Sequence, residues 1–470
     1  MPTTIPQNEE LLNNLNELLV AHRPIFSQQR VYLRAVSLVV AELMAFGRHT
    51  LTQLLMNQGM VSEDLTAWYR LFSKRRFREE AAAAILLAES LKHVGADELY
   101  VVGGDGTQTP RSSRKIEGTG YLVNQRTPPF KRGIHLAQRW FNGSWLLPPE
   151  NGYSRAIPLR WLPAFTQKAT RQVSEARKEW EAALEFLTWL LTHMTRLGRP
   201  GQRILMLGDG SYDTLSMWQH LPSDVILLAR SAKNRALFHL PSGTAHGNRK
   251  YGERALTPQR FWRARRGWQP VTLLIRGKNR PLQYRVLGPF IRQGAPDIPL
   301  MLIIVRGQTY SKRRRRRYRE PLPLLVNAVQ DEHGNWVLPL PIEVLLFWAW
   351  QRWELEVCHR ELKSNFGLGE KQCFNPHAAI ASVQWSAWVY AVLLLAGYRT
   401  FGLSGAPPVP TAWWRGSGRW SFNTLWRAYR AALWGSHDFQ RPLPATLDNW
   451  PANETLLAHL LHAVYAASRA

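Results

Sequence analysis

The sequence predicts a mixed α/β protein, with a β-rich insertion in its α/β core and helical regions at both ends. Three observations predict it. Residues 9–21, 31–46 and 79–94 carry apolar side chains at helical spacing or in an alanine- and leucine-rich run. Short apolar strands at 98–102, 203–207 and 225–229 flank a long amphipathic stretch at 164–197, the pattern of strands joined by a crossing helix. Between residues 240 and 337, apolar runs at 271–275, 300–305 and 322–329 alternate with turns rich in arginine, glycine and proline.

In chain order, residues 1–95 are expected to form a helical domain. Its basic cluster of Arg70, Lys74, Arg75, Arg76 and Arg78 lies beside Trp68, Tyr69 and Phe72. That pattern fits a solvated helix face and a DNA-contacting surface equally. Residues 96–239 form the first part of the core. Within it, 133–141 and 144–147 are expected to pair as a hairpin turning at Asn142-Gly143, a common hairpin dipeptide. The helix at 164–197 is expected to end at Gly198 and Pro200. Residues 240–337 form the insertion and hold the run Lys312-Arg313-Arg314-Arg315-Arg316-Arg317. Such a run cannot lie buried, so it is expected on a loop or strand edge, with Arg313, Arg314 and Arg315 facing phosphates. A helix from Pro341 to about Asn365 returns the chain to the core over 338–375. Further helices fill 376–470, broken near Pro407, Pro408 and Pro410.

The 470 residues are 45% hydrophobic, which excludes a disordered chain. Lysine and arginine outnumber aspartate and glutamate by 60 to 34, a net charge of +26 that calls for a polyanionic partner. Nucleic acid is the first candidate and an anionic membrane surface the second. The 21 tryptophans belong mostly in cores, with some available to stack on bases. Cys358 and Cys373 are the only cysteines, which fits a reducing compartment and excludes a disulfide scaffold. Cys373 and His377 lack a second ligand pair, so no structural zinc is expected. The N-terminal stretch shows no signal-peptide pattern. Residues 378–398 are uncharged and long enough to span a bilayer, but Ser382, Gln384 and Ser386 mark them as a buried helix, so no membrane partner is expected.

Asp105 and Asp209 share one local setting: each follows an apolar strand and each is flanked by glycine. A strand end projects a carboxylate from a rigid element, and two such carboxylates suit hard divalent cations. Asp-Gly is also an ordinary turn dipeptide, and Asp213 competes with Asp209. The helix from residue 341 offers Glu354, Glu356 and Glu361. At about 100° per residue, Glu356 lies about 40° and Lys363 about 20° from Arg352 around the helix axis. Glu354 and Glu361 fall about 200° and 180° away. Arg352, Glu356 and Lys363 therefore form one stripe, beside an apolar face of Leu355, Cys358, Leu362 and Phe366.

These residues resemble the signature of bacterial insertion-sequence transposases with an Asp-Asp-Glu catalytic triad. Arg352, Glu356 and Lys363 match its spacing, Trp353 matches the tryptophan that often follows the arginine, and Ala349 stands where the signature has tyrosine. The Gly103–Thr107 segment resembles the first aspartate motif, Asp209-Gly210-Ser211-Tyr212 the second, and residues 230–237, with Arg230 and Arg235, the basic strand and turn that follow. The resemblance implies a ribonuclease H-like core interrupted by a β-rich insertion. It implies catalytic Asp105, Asp209 and Glu356 holding two Mg2+ ions, with Mn2+ as substitute, and Asp105 bridging them. It also implies phosphate contacts from Arg352 and Lys363, and a base-stacking role for Trp353, which equally suits a core position. The implied partners are double-stranded DNA (transposon ends and target) and a second protomer on paired ends, in a bacterial cytoplasm. A structure-selective nuclease and a catalytically silent DNA-binding relative share most of these features.

Overall fold

A computed structural model describes residues 6–60, 64–124, 127, 132–241, 250–307, 309–312, 315–407, 419–434, 462 and 464. The chain opens with helices α1 (Pro6–Ala21), α2 (Gln29–Met44), α3 (Leu51–Met56), α4 (Thr66–Ser73) and α5 (Glu79–Leu91). The central part runs β1 (Tyr100–Pro110), β2 (Gly120–Val123), β3 (Ile134–Leu146), β4 (Ala156–Pro163), α6 (Glu179–Arg196), β5 (Ile204–Gly208), α7 (Leu215–Gln219) and β6 (Val225–Arg230). Then come β7 (Phe238–His239), α8 (Pro258–Trp262), β8 (Gln269–Ile275), β9 (Lys278–Arg292), β10 (Ala295–Arg306), β11 (Thr309–Lys312) and β12 (Arg315–Tyr318). The chain continues through β13 (Leu322–Asn327), β14 (Val329–Gln330), β15 (Trp336–Val337), α9 (Ile342–Gln351), α10 (Trp353–Ser364), α11 (Pro376–Phe401) and α12 (Phe422–Trp434).

One large mixed sheet organises these elements, in the order β2-β3-β1-β5-β6-β13-β10-β9-β7, with β4 on β3 and β8 on β9. The β-rich region is thus continuous with the core sheet, because β13 pairs antiparallel with β6. The inner strands are apolar on both faces because both are covered. Tyr100, Val102, Ile204 and Met206 point into one core; Val101, Leu205 and Leu207 point into the other, beneath α9 and the inserted strands. The first core is shared with the terminal helices. Helix α11 is its axis, capped by Asn375 and packed against α1, α4, α5, α12 and β4. Most of its apolar surface is buried in protein, as expected for the uncharged 378–398 stretch.

Four local expectations are corrected. The strand predicted at 98–102 runs on to Pro110, because β3 pairs with it from Val102 to Pro110; Asp105 therefore sits in mid-strand. Asn142-Gly143 is not a turn but lies inside β3. Its glycine admits helix α6: a Cβ there would stand 2.6 Å from Phe186. The helix predicted at 164–197 begins only at Glu179. The chain before it is held open by Glu117, whose carboxylate accepts from the backbone N–H groups of Arg171, Gln172 and Ser174. The helix predicted from Pro341 forms as two, α9 and α10, meeting at Arg352. Arg313, Arg314, Pro408 and Pro410 lie outside the described residues; Arg315 opens β12, which pairs with β11.

Candidate active site

Parallel pairing between β1 and β5 ends at Gly103 opposite Leu207. Asp105 and Asp209 each lie two residues beyond that last pair. The two aspartates are thus matched in register where the ladder between their strands stops. Helix α10 crosses β1 directly, since Gly103 has no side chain and a Cβ would lie 2.6 Å from Leu355. Leu355, Cys358, Leu362 and Phe366 are all buried, as the helix periodicity requires.

The helix sorts its three glutamates as predicted by rotation alone. Glu354 is buried and paired with Arg276 (3.3 Å) and Arg419 (3.0 Å). Glu361 is buried with Arg155 (2.5 Å) and Tyr390 (2.6 Å). Glu356 faces an open cleft of about 2190 Å³ together with Asp105 and Asp209. The same cleft is lined by Arg230, Arg352, Trp353, Arg360 and Lys363, and by Ala349. Trp353 is 46% exposed there and does not fill a core.

Asp105 is 14% exposed, and its Oδ2 lies 3.5 Å from His359 Nδ1. Ser144 donates to Asn142 Oδ1 (3.0 Å), which turns the Asn142 amide to donate to His359 Nε2 (3.1 Å). The ring proton then sits on Nδ1, facing Asp105. Burial, with the nearby Lys363, pushes His359 down to about 3, so it is neutral near pH 7. Burial and the charge of Asp209 push the Asp105 carboxyl up to about 7; Arg352 opposes this, while Glu179 and Glu356 add to it. Asp209 accepts from Ser211 N (2.8 Å) and Oγ (2.6 Å), both on Oδ1; its Oδ2 has no bonding partner among the described residues. Arg352 donates to Glu356 (2.7 Å), and Lys363 donates to Thr107 on β1. Among the described residues, no three His, Cys, Asp or Glu side chains are close enough as they stand to hold an ion.

Asp213, the competitor of Asp209, is fully buried and bonded by Trp218, Ser231, Arg235 and Arg292. Arg235, expected to meet DNA, instead has its guanidinium on Asp213 (2.8 Å), because a buried carboxylate must be paired. Glu179 escaped the sequence reading. It is the first residue of α6, bonded to Arg139 (2.6 Å) and to Tyr212 (2.9 Å). An acid in the first turn of a helix is so common that it carries no functional signal.

A family model described as DDE superfamily endonuclease matches residues 24–279, more than half of the chain. This chain belongs to the DDE superfamily endonucleases. The matched region takes in Asp105 and Asp209 and stops before Glu356, so the third carboxylate rests on the helix geometry and the shared cleft. A search of curated proteins gave no match. The large mixed sheet with its helices fits this family's fold, and nucleases of the family generally use divalent metal ions.

Proposed function

We propose that this DDE endonuclease is a DNA transposase, cutting transposon ends and joining their 3′ ends to target DNA. The observation that carries the reading is the single basic cleft containing Asp105, Asp209 and Glu356 beside Arg352, Trp353 and Lys363. The strand order β4-β3-β1-β5-β6, with α6 crossing between β4 and β5, supports a ribonuclease H-like core. The 1–95 helices, with their exposed basic cluster at α4, and the paired basic strands β11 and β12 are the proposed DNA-contacting additions.

The donor set fits hard divalent cations. All three carboxylates offer oxygen, Asp209 has an oxygen to spare, and Asp105 carries a charge that burial beside Asp209 disfavours. Asp105, Asp209 and Glu356 would hold two Mg2+ ions, or Mn2+ in their place. Bound there, the ions supply an activated water and a stabilised leaving oxygen. The protein's own contribution is positional. His359 on α10, itself held by Asn142 on β3, orients Asp105. Arg352 holds Glu356 in the free protein and grips a backbone phosphate when DNA enters, releasing the carboxylate toward the aspartates. Lys363, tethered to Thr107, presents a second cation along the same strand path. Double-stranded DNA is the partner, two protomers act on paired ends, and the cytoplasmic nucleoid is the place of action.

The test is a cleavage and strand-transfer assay with intact and pre-cut ends taken from the DNA flanking the gene, a supercoiled target and Mg2+. Joined products are expected. Cutting without joining would replace the transposase reading with a structure-selective nuclease.

A further inference from the structure

We infer that Glu179 is a positioning residue that clamps the Asp209 turn against the strand carrying Asp105; this rests on the metal-site reading proposed above. The need for a clamp follows from the sheet. Backbone pairing between β1 and β5 stops at Gly103 and Leu207, so no ladder bond holds the two aspartates in register. Glu179 spans that gap. Its Oε2 accepts twice from Arg139 on β3, at 2.9 and 2.6 Å. Its Oε1 accepts from Tyr212 OH at 2.9 Å and lies 3.2 Å from Ser211 Oγ. The Ser211 hydroxyl has one proton, and the shorter contact, 2.6 Å, is to Asp209. The firmer anchor is therefore Tyr212, which is fully buried and whose backbone N–H bonds the Asp209 carbonyl at 3.2 Å.

On the other side, the carboxylate lies on the backbone next to Asp105. Gly106 leaves the space for it: a Cβ there would stand 2.2 Å from Glu179 Oε2. One side chain thus touches β1, β3 and the turn after β5. A third carboxylate beside two others adds repulsion, which Arg139 offsets from one side only. A purely structural contact would be better made by a neutral group. Outer-shell partners of this kind typically set metal affinity by about 10–100-fold.

The test uses the full chain without DNA and titrates Mn2+, following the free ion by its electron spin resonance. Glu179→Ala is expected to weaken Mn2+ binding by about 10–100-fold. Tyr212→Phe, which deletes only the hydroxyl, should act in the same direction and add little in the Glu179→Ala background. Glu179→Gln should also weaken binding, because its amide can accept from one side of the clamp only. If Glu179→Ala fails to fold by circular dichroism, Tyr212→Phe and Glu179→Gln decide. Midpoints within twofold of the parent, or effects of Glu179 and Tyr212 that add in full, overturn the clamp. Asp209→Asn separates the two readings. If it binds Mn2+ as the parent does, the metal-site reading falls and the clamp with it. If Asp209→Asn is impaired while the Glu179 and Tyr212 variants are not, only the clamp falls.

Discussion

Replacing Asp213 with asparagine should unsettle the fold, whereas the same change at Asp209 should unsettle only the chemistry. Asp213 receives four donors: Trp218 Nε1 (3.0 Å) and Arg292 (2.8 Å) on Oδ1, and Ser231 (3.0 Å) and Arg235 (2.8 Å) on Oδ2. Asparagine keeps one acceptor oxygen and turns an NH2 toward two donors. Two charge-assisted bonds at about 1.5–3 kcal/mol each put the loss near 3–6 kcal/mol. That agrees with the roughly 3–5 kcal/mol seen when one partner of a buried ion pair is removed. An unfolding entropy of about 2.1 cal/mol/K per residue over 470 residues gives about 1 kcal/mol per degree. The Tm of Asp213→Asn should therefore fall by about 3–5 °C if the chain unfolds as one unit. Asp209 is half-buried, and asparagine can still accept from Ser211, so its Tm should stay within about 1 °C. Calorimetry in EDTA and a cleavage assay, run side by side, provide the check. An Asp209→Asn protein that melts lower than Asp213→Asn, or an Asp213→Asn protein of parental stability that cannot cut, would refute the assignment.

Glu361→Gln should lower the unfolding free energy by about 3–5 kcal/mol, because buried Arg155 loses its partner; a parental midpoint in urea would contradict this. Burial pushes His22 from 6.5 down to about 4. The unfolded chain takes up that proton first, so the His22 contribution is full above pH 6.5 and is lost as pH falls towards 4. His22→Leu should flatten the slope of Tm against pH in that window, and an unchanged slope would exclude His22 as a source. Trp353→Ala should slow cleavage of intact ends by an amount near the 1–3 kcal/mol of one stacked base, and spare flexible, pre-nicked ends. Equal loss on both substrates would remove base stacking as its role.

What was legible in the sequence was what local periodicity controls. Helix rotation alone separated Glu356 from Glu354 and Glu361, and burial of the last two beside Arg276, Arg419 and Arg155 is the physical counterpart. The glycine-flanked aspartates were visible because Gly103, Gly104, Gly106 and Gly208 stand where a Cβ would meet Leu355, Met206, Glu179 and Tyr212. What stayed hidden depends on distant partners. Asn142-Gly143 reads as a turn until Phe186 is seen to need the space. Residues 164–178 read as helix until Glu117 is seen to take three of their neighbourhood's amides. The inserted strands read as separate until β13 is found on β6. Glu179 looks like any acid opening a helix, and only the end of the β1–β5 ladder gives it a task.

The most direct measurement compares Mg2+-dependent cleavage of gene-flanking DNA by the parent, Glu356→Gln and Glu354→Ala, each first shown to be folded. Glu356→Gln should bind the DNA as the parent does and give no cut product. Glu354→Ala should lose stability but cut in proportion to the folded protein present. Cleavage by Glu356→Gln at the parental rate would contradict a triad of Asp105, Asp209 and Glu356.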